Sequence, residues 1–155
     1  MRYINKKLTF ENVSIQNIAK KYGTPTYCYS YNKLKENIKS FKKNFQSISP
    51  LICFAIKSNC NLNLIREIKK FGLGADVVSM GELIIALKAG VSAKKIVFSG
   101  VGKTSEEISY AIDKKILLIN AESESEIREI NRIAKSKKKR VQIGLRLNPN
   151  TDAKT

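Results

Sequence analysis

Lys57 closes a run of six apolar residues, Leu51 to Ile56, and is followed by Ser58 and Asn59. A lysine held at the end of a buried strand loses part of its hydration. Desolvation disfavours an ammonium and frees the amine for Schiff-base chemistry. A strand-end lysine can equally run its stem along apolar surface and leave its charge in water. The residues alone leave both readings open. A second segment, Gly100-Val101-Gly102-Lys103-Thr104, resembles the end of a phosphate-binding G-x-x-x-x-G-K-[S/T] loop. That loop needs a glycine at position 97, where this chain has Val97 inside an apolar run. Without it the backbone cannot form the phosphate cradle, so a nucleotide triphosphatase is not expected. A weaker option remains, in which the loop offers backbone N–H groups to another anion at a helix start.

These residues need elements to hold them. Five short apolar, β-rich runs stand out: 51–56, 74–78, 95–98, 116–119 and 141–147, with starts spaced by 23, 21, 21 and 25 residues. Helical periodicity fills the gaps. Leu62, Ile65 and Ile68 share a face and Gly72 stops the helix; Leu83 and Leu87, with Ile84 on the adjacent stripe, do the same ahead of Gly90. Thr104 to Glu107 and Ser123 to Glu126 have the S/T-x-x-E form of a capping box. Strand and helix alternating at a fixed period give parallel βα units, and the near-continuous apolar strands suit a sheet covered by helices. An open doubly wound sheet and a (β/α)8 barrel both remain, and the constant period favours the barrel. A full barrel has eight units and about 250 residues. The fold class is therefore α/β, with about five parallel βα units of an incomplete barrel.

In such folds chemistry gathers at the C-terminal strand ends. Those ends carry Lys57, Ser58 and Asn59, then Asp76 and Ser79, then Ser99, Gly100 and Gly102, then Asn120, then Arg146 and Asn148. The opposite turns carry mainly Gly, Lys and Ala. The asymmetry marks a site without naming a reaction.

The first 50 residues read differently. Thr26 to Ser30 is expected as a short strand after Pro25. Leu34, Ile38, Phe41 and Phe45 fall on one helical face. Residues 1–20 are ambiguous and could pair with a second domain. The division adopted is 1–30 as an N-terminal segment and 31–155 as the partial barrel.

Composition narrows the function classes. With 43% hydrophobic and 27% charged residues in 155, the chain is expected to fold as an ordinary globular protein. No apolar run approaches the roughly 20 residues that span a bilayer, and the start lacks the pattern of a secretory signal. A cytoplasmic location is expected. Three cysteines, none in C-x-x-C spacing, and no histidine argue against a metal site; Cys28, Cys53 and Cys60 are expected as small buried hydrophobes. The net charge of +16 could suit nucleic acid. The lysines are spread over every expected helix, however, and the densest run, Lys135 to Arg140, has no interleaved aromatics. A solvated basic surface is the reading adopted, with neither a nucleic-acid nor a membrane partner.

The segment Phe54-Ala55-Ile56-Lys57-Ser58-Asn59 resembles the lysine motif of the fold-type III pyridoxal-phosphate decarboxylases. Gly74 to Leu83, Ile96 to Thr104, Asn120 to Glu124 and Leu145 to Ala153 resemble that family's next four motifs, in order. The third and fifth are more similar to its diaminopimelate-decarboxylase branch than to the ornithine or arginine branches. Met80 stands where the family often has glycine. The resemblance implies an alanine-racemase-like barrel followed by a β-rich domain. It implies pyridoxal 5'-phosphate bound through Lys57, with Asp76 and Arg146 as supporting residues and Ser79 and Asn148 as weaker candidates. It also implies decarboxylation of meso-2,6-diaminopimelate to L-lysine by a homodimer. The family's ring-stacking histidine, glycine-rich phosphate loop and substrate-binding residues fall further along than this sequence runs. The chain is therefore expected to be an N-terminal fragment, inactive alone. A decarboxylase for another basic amino acid and a non-catalytic half-barrel binding module are the alternatives.

Overall fold

The computed structural model describes residues 1–149 and 151. They form two compact units, residues 1–50 and the described residues from 51 onward.

The first unit opens with an antiparallel meander of β1 (Arg2–Ile4), β2 (Lys7–Phe10) and β3 (Val13–Ser14). Its tight turns, Asn5-Lys6 and Glu11-Asn12, hold both central residues at positive φ. This backbone suits a two-residue hairpin because its twist matches that of the strands. Helices α1 (Ile15–Tyr22) and α2 (Tyr31–Asn44) follow. The Glu11 carboxylate accepts from the Ser30 hydroxyl and from the backbone and side-chain N–H of Asn32. That clamp ties the start of α2 to the meander, so the boundary between units falls at Pro50. The segment 26–30 is irregular and not the expected strand, because no strand pairs with it among the described residues. On α2, Ile38 is buried, whereas Phe41 and, one residue past the helix, Phe45 are exposed, with ring centroids 4.8 Å apart.

The second unit is a five-stranded parallel sheet in strict sequence order: β4 (Cys53–Ala55), β5 (Gly74–Val77), β6 (Ile96–Phe98), β7 (Leu118–Ala121) and β8 (Ile143–Leu145). Helices α3 (Leu62–Lys70), α4 (Met80–Lys88), α5 (Ser105–Lys114) and α6 (Glu124–Ser136) connect them. Ala75, Val77, Ile96, Phe98, Ile119 and Ala121 point to one face. There they form the core with Ile65, Leu83, Ala86, Ile108, Ile112, Ile130 and Ile133 of the helices. All four helices therefore cover the same face. Doubly wound sheets reverse strand order and carry helices on both faces; this sheet does neither, and it has the arrangement of part of a barrel.

The strands are shorter than the apolar runs. β4 stops at Ala55, where Ile56–Ser58 tightens into a 3-10 turn, and β7 begins at Leu118, two residues beyond the start of its run. Ser99 donates its N–H to Val77 O and Arg146 to Ala121 O, so the ladders run one residue past β6 and β8. None of the three cysteines is buried as expected. Cys28 lies in the irregular stretch after Pro25 and Cys60 in the loop before α3, both exposed. Cys53, on β4, is half-buried, and burial followed by the Asp76 charge raises its thiol pKa.

Candidate active site

Each strand-to-helix turn is fastened by the helix that follows it. Asn61 caps α3 by accepting from the N–H of Asn63 and Leu64. Ser79, Thr104 and Ser123 cap α4, α5 and α6, each accepting from the N–H of a glutamate three residues on. Those glutamates then diverge. Glu107 returns to the Thr104 N–H at 3.0 Å, completing the box, and also accepts from the Met80 N–H at 2.9 Å. These two backbone donors, Thr104 first, lower its pKa. Glu82 and Glu126 reach one residue further back, to the N–H of Val78 and Glu122. The expected box at Ser123 is thus half formed. The Ser79 oxygen is engaged as a helix cap, which is the role the structure gives this weaker site candidate.

The glycine-lysine loop is filled from within. Lys103 Nζ donates to Gly100 O at 2.6 Å, Asn120 O at 2.8 Å and Glu126 Oε1 at 2.8 Å. Its side chain is 1% exposed. A lysine so enclosed is not available to a phosphate outside. The Gly100 N–H is taken by Glu122 Oε1 at 3.1 Å and the Thr104 N–H by Glu107. The anion-binding option therefore loses two backbone donors and the lysine.

The polar residues of the strand ends gather on the sheet face opposite the helices. Asp76, Ser99 and Asn120 alternate with core residues and so share that face. Ser99 Oγ donates to Asp76 Oδ1 at 2.7 Å, and Asn120 Nδ2 donates to Ser99 Oγ at 3.0 Å. Arg146 Nη1 lies 3.4 Å from Glu122 Oε1, with its side chain 56% exposed. Asn148 is exposed in the irregular segment after β8. Within the fifth motif, Asn150, Asp152 and Ala153 lie outside the described residues.

Lys57 sits in the 3-10 turn two residues beyond Ala55, which is in register with Asp76. It is exposed, so the partial burial expected of a strand-end lysine is not seen; the turn lifts it off the strand. Among the described residues its amine has no hydrogen-bond or ion-pair partner. An uncommitted amine beside a carboxylate-bearing face fits a group that bonds covalently to lysine. Sequence spacing points to Glu107 and Glu126 as cap partners but not to the roles of Glu82 and Glu122, although Ser79 and Glu82 have the same S-x-x-E spacing. A cleft of about 440 Å³ opens at the opposite end of the sheet, where Lys115 and Arg140 flank Ile116 and Val141. It lies at the strand starts and has no share in this site.

A singly wound parallel sheet with a free lysine after its first strand and a polar face at its C-terminal ends defines part of a lysine-bearing α/β barrel. Residues 31–155 match the family model described as pyridoxal-dependent decarboxylase, pyridoxal binding domain. The chain belongs to that family. It is 42% identical over 155 residues to the diaminopimelate decarboxylase of Aquifex aeolicus, covering 100% of this chain and 36% of the relative. It is 46% identical over 134 residues to that of Helicobacter pylori, covering 86% and 33%. The crystal structure of diaminopimelate decarboxylase from M. jannaschii superposes with a TM-score of 0.93 at 35% identity, covering 99% of this chain and 37% of that one. The Helicobacter pylori enzyme complexed with L-lysine gives 0.87 at 41% identity, covering 90% and 36%. The chain thus spans little more than a third of the length of these relatives. The incomplete barrel and the family expected from the sequence are what fold and comparisons show. Among the described residues, no helix is long and apolar enough to cross a membrane.

Proposed function

We propose that this chain provides the lysine-bearing part of a decarboxylase that converts meso-2,6-diaminopimelate to L-lysine and CO2, with pyridoxal 5'-phosphate as cofactor. The observation that carries the reading is the Lys57 amine, without a partner among the described residues, at the C-terminal strand end beside the face shared by Asp76, Ser99 and Asn120. Identity of 42% along the whole chain to a diaminopimelate decarboxylase supports the substrate, and relatives crystallised with L-lysine support the product. Residues 31–155 would form the cofactor-binding part and 1–30 an N-terminal segment. Lys57 Nζ would bind the cofactor aldehyde and yield it to the substrate amine. Asp76 would present a carboxylate to the bound group, and Arg146, held near Glu122, a cation. When bound, the cofactor ring supplies the sink for the electron pair left as CO2 departs. The active species would be a cytoplasmic homodimer of chains as long as the relatives, and residues 1–155 alone would release no CO2 from meso-2,6-diaminopimelate.

The test is borohydride reduction of the chain with pyridoxal phosphate, followed by peptide mapping. Modification concentrated at Lys57, and lost in Lys57→Ala, is the expected result. Modification spread evenly over the surface lysines would remove the reading and favour a non-catalytic half-barrel. In a chain of full length, CO2 release from ornithine or arginine but not from meso-2,6-diaminopimelate would reassign the substrate.

A further inference from the structure

We infer that Ser99, Asn120 and Gly144 form a positioning relay that fixes the Asp76 carboxylate for the group bound at Lys57, an inference that rests on the cofactor reading above. The proton inventory sets its direction. An ionised carboxylate can only accept, a hydroxyl has one proton, and the nitrogen of an amide side chain can only donate. Asn120 Nδ2 lies 3.0 Å from Ser99 Oγ, which lies 2.7 Å from Asp76 Oδ1. The Asn120 amide therefore occupies an acceptor site of the hydroxyl and commits its single proton to Asp76. Three adjacent strand ends, on β5, β6 and β7, are joined in one sense.

The fourth strand makes room for it. A Cβ on Gly144 would stand 2.3 Å from Asn120 Oδ1, far inside contact distance, and Gly144 is the register partner of Asn120 on β8. Any side chain there must push the amide aside and release the hydroxyl from its orientation. The one oxygen of Asp76 so engaged leaves Oδ2 without a hydrogen bond among the described residues. That oxygen can then accept from a protonated nitrogen or hydroxyl of a bound group. Cys53 is the titratable side chain that faces Asp76 from β4.

The relay is tested on the chain itself by two readouts. The first is the NMR signal of the Asn120 side-chain amide, read without cofactor. The second is the rate of pyridoxal phosphate trapping at Lys57 under borohydride, read by peptide mapping. Ser99→Ala and Gly144→Ala are expected to shift the Asn120 amide and slow trapping by about tenfold, the scale of one charge-assisted hydrogen bond. Asn120→Asp is expected to do the same to trapping, because a carboxylate at 120 competes for the Ser99 proton. Ser99→Thr keeps the hydroxyl and is expected to retain the wild-type rate. Circular dichroism of each variant separates loss of fold from loss of the relay, and Ser99→Thr serves as the folded rescue. Unchanged trapping in folded Ser99→Ala and Gly144→Ala, with the Asn120 amide shifted, would overturn the inference while leaving the cofactor reading intact. No specific trapping at Lys57 in the wild type would instead overturn the cofactor reading and the inference with it.

Discussion

The ammonium of Lys103 and the carboxylate of Glu126 meet at 2.8 Å with side chains 1% and 11% exposed, joining the β6–α5 turn to the start of α6. Lys103 Nζ also holds the carbonyls of Gly100 and Asn120, so a single buried cation closes two neighbouring turns. Removing one partner of a buried pair leaves the other charged and desolvated. Lys103→Met is expected to destabilise residues 51–155 by about 3 kcal/mol, the low end for a broken buried pair, because Glu126 keeps its bond from the Glu122 N–H. Urea unfolding measures it, as a lower midpoint at unchanged slope. A loss below about 1 kcal/mol would place the pair with ordinary surface bridges.

Gly74 begins β5 where the sheet has no space. A Cβ there would stand 2.1 Å from Lys95 O and 2.9 Å from Cys53 Sγ. The first of these is backbone and cannot swing away. Gly74→Ala is expected to cost about 2–3 kcal/mol, as overpacking does. The check is a fall in thermal midpoint together with weaker amide-exchange protection along β5 and β6.

Asp113 lies between Lys137 and Lys139, each 2.7 Å away, and these hydrogen bonds hold its pKa at about 2 against an ordinary 3.8. Because the folded value is depressed, the contribution is complete above the ordinary carboxylate range and disappears as pH falls from about 4 towards 2. A carboxyl NMR titration is expected to place the Asp113 midpoint near 2. Replacing both lysines by methionine is expected to return it to the usual range. A midpoint near 4 in the wild type would show that the two contacts do not persist in solution.

β8 and the segment after it expose a row of apolar side chains: Ile143 is 40% exposed, Leu145 63% and, beyond the strand, Leu147 82%. Ile119 and Ala121, the register partners of Ile143 and Leu145, lie under the helices, so these two are the uncovered end of the same apolar face. The outer edge of β8 pairs with no strand among the described residues. Such an edge promotes association. The chain is expected to self-associate as its concentration rises, and Leu145→Lys to suppress this, both followed by sedimentation velocity. Equal association of the variant would locate the sticky surface elsewhere.

The sequence shows the βα period well because each run that meets the helices must be apolar. Ala75, Val77, Ile96 and Phe98 are legible for that reason. The β1–β3 meander is hidden by its turns: Asn5-Lys6 and Glu11-Asn12 adopt the positive-φ hairpin without the glycine that usually announces it. Its strands are also only two to four residues long, too short for alternation to show. Of the site, Lys57 and Asp76 are legible through motif order and strand position. The partners of Ser99 and Asn120 are not, since those bonds join residues 21 to 23 apart in sequence through the register of neighbouring strands. Nor could sequence tell the buried Lys103 from the exposed Lys57. Both follow apolar runs, and only the carbonyls and carboxylate around Lys103 separate them.

The strict order of the sheet also bears on how the chain acquires its structure. Each strand pairs only with its neighbours in sequence, at separations of little more than 20 residues, as in Phe54 with Ala75 and Asp76 with Val97. Loop closure over such short distances costs little entropy. A nascent chain can therefore add one strand and one helix at a time to the growing edge, without waiting for a distant partner. Each intermediate on that route ends, like β8, in an unpaired apolar edge, so the ease of stepwise assembly and the hazard of premature aggregation have the same origin.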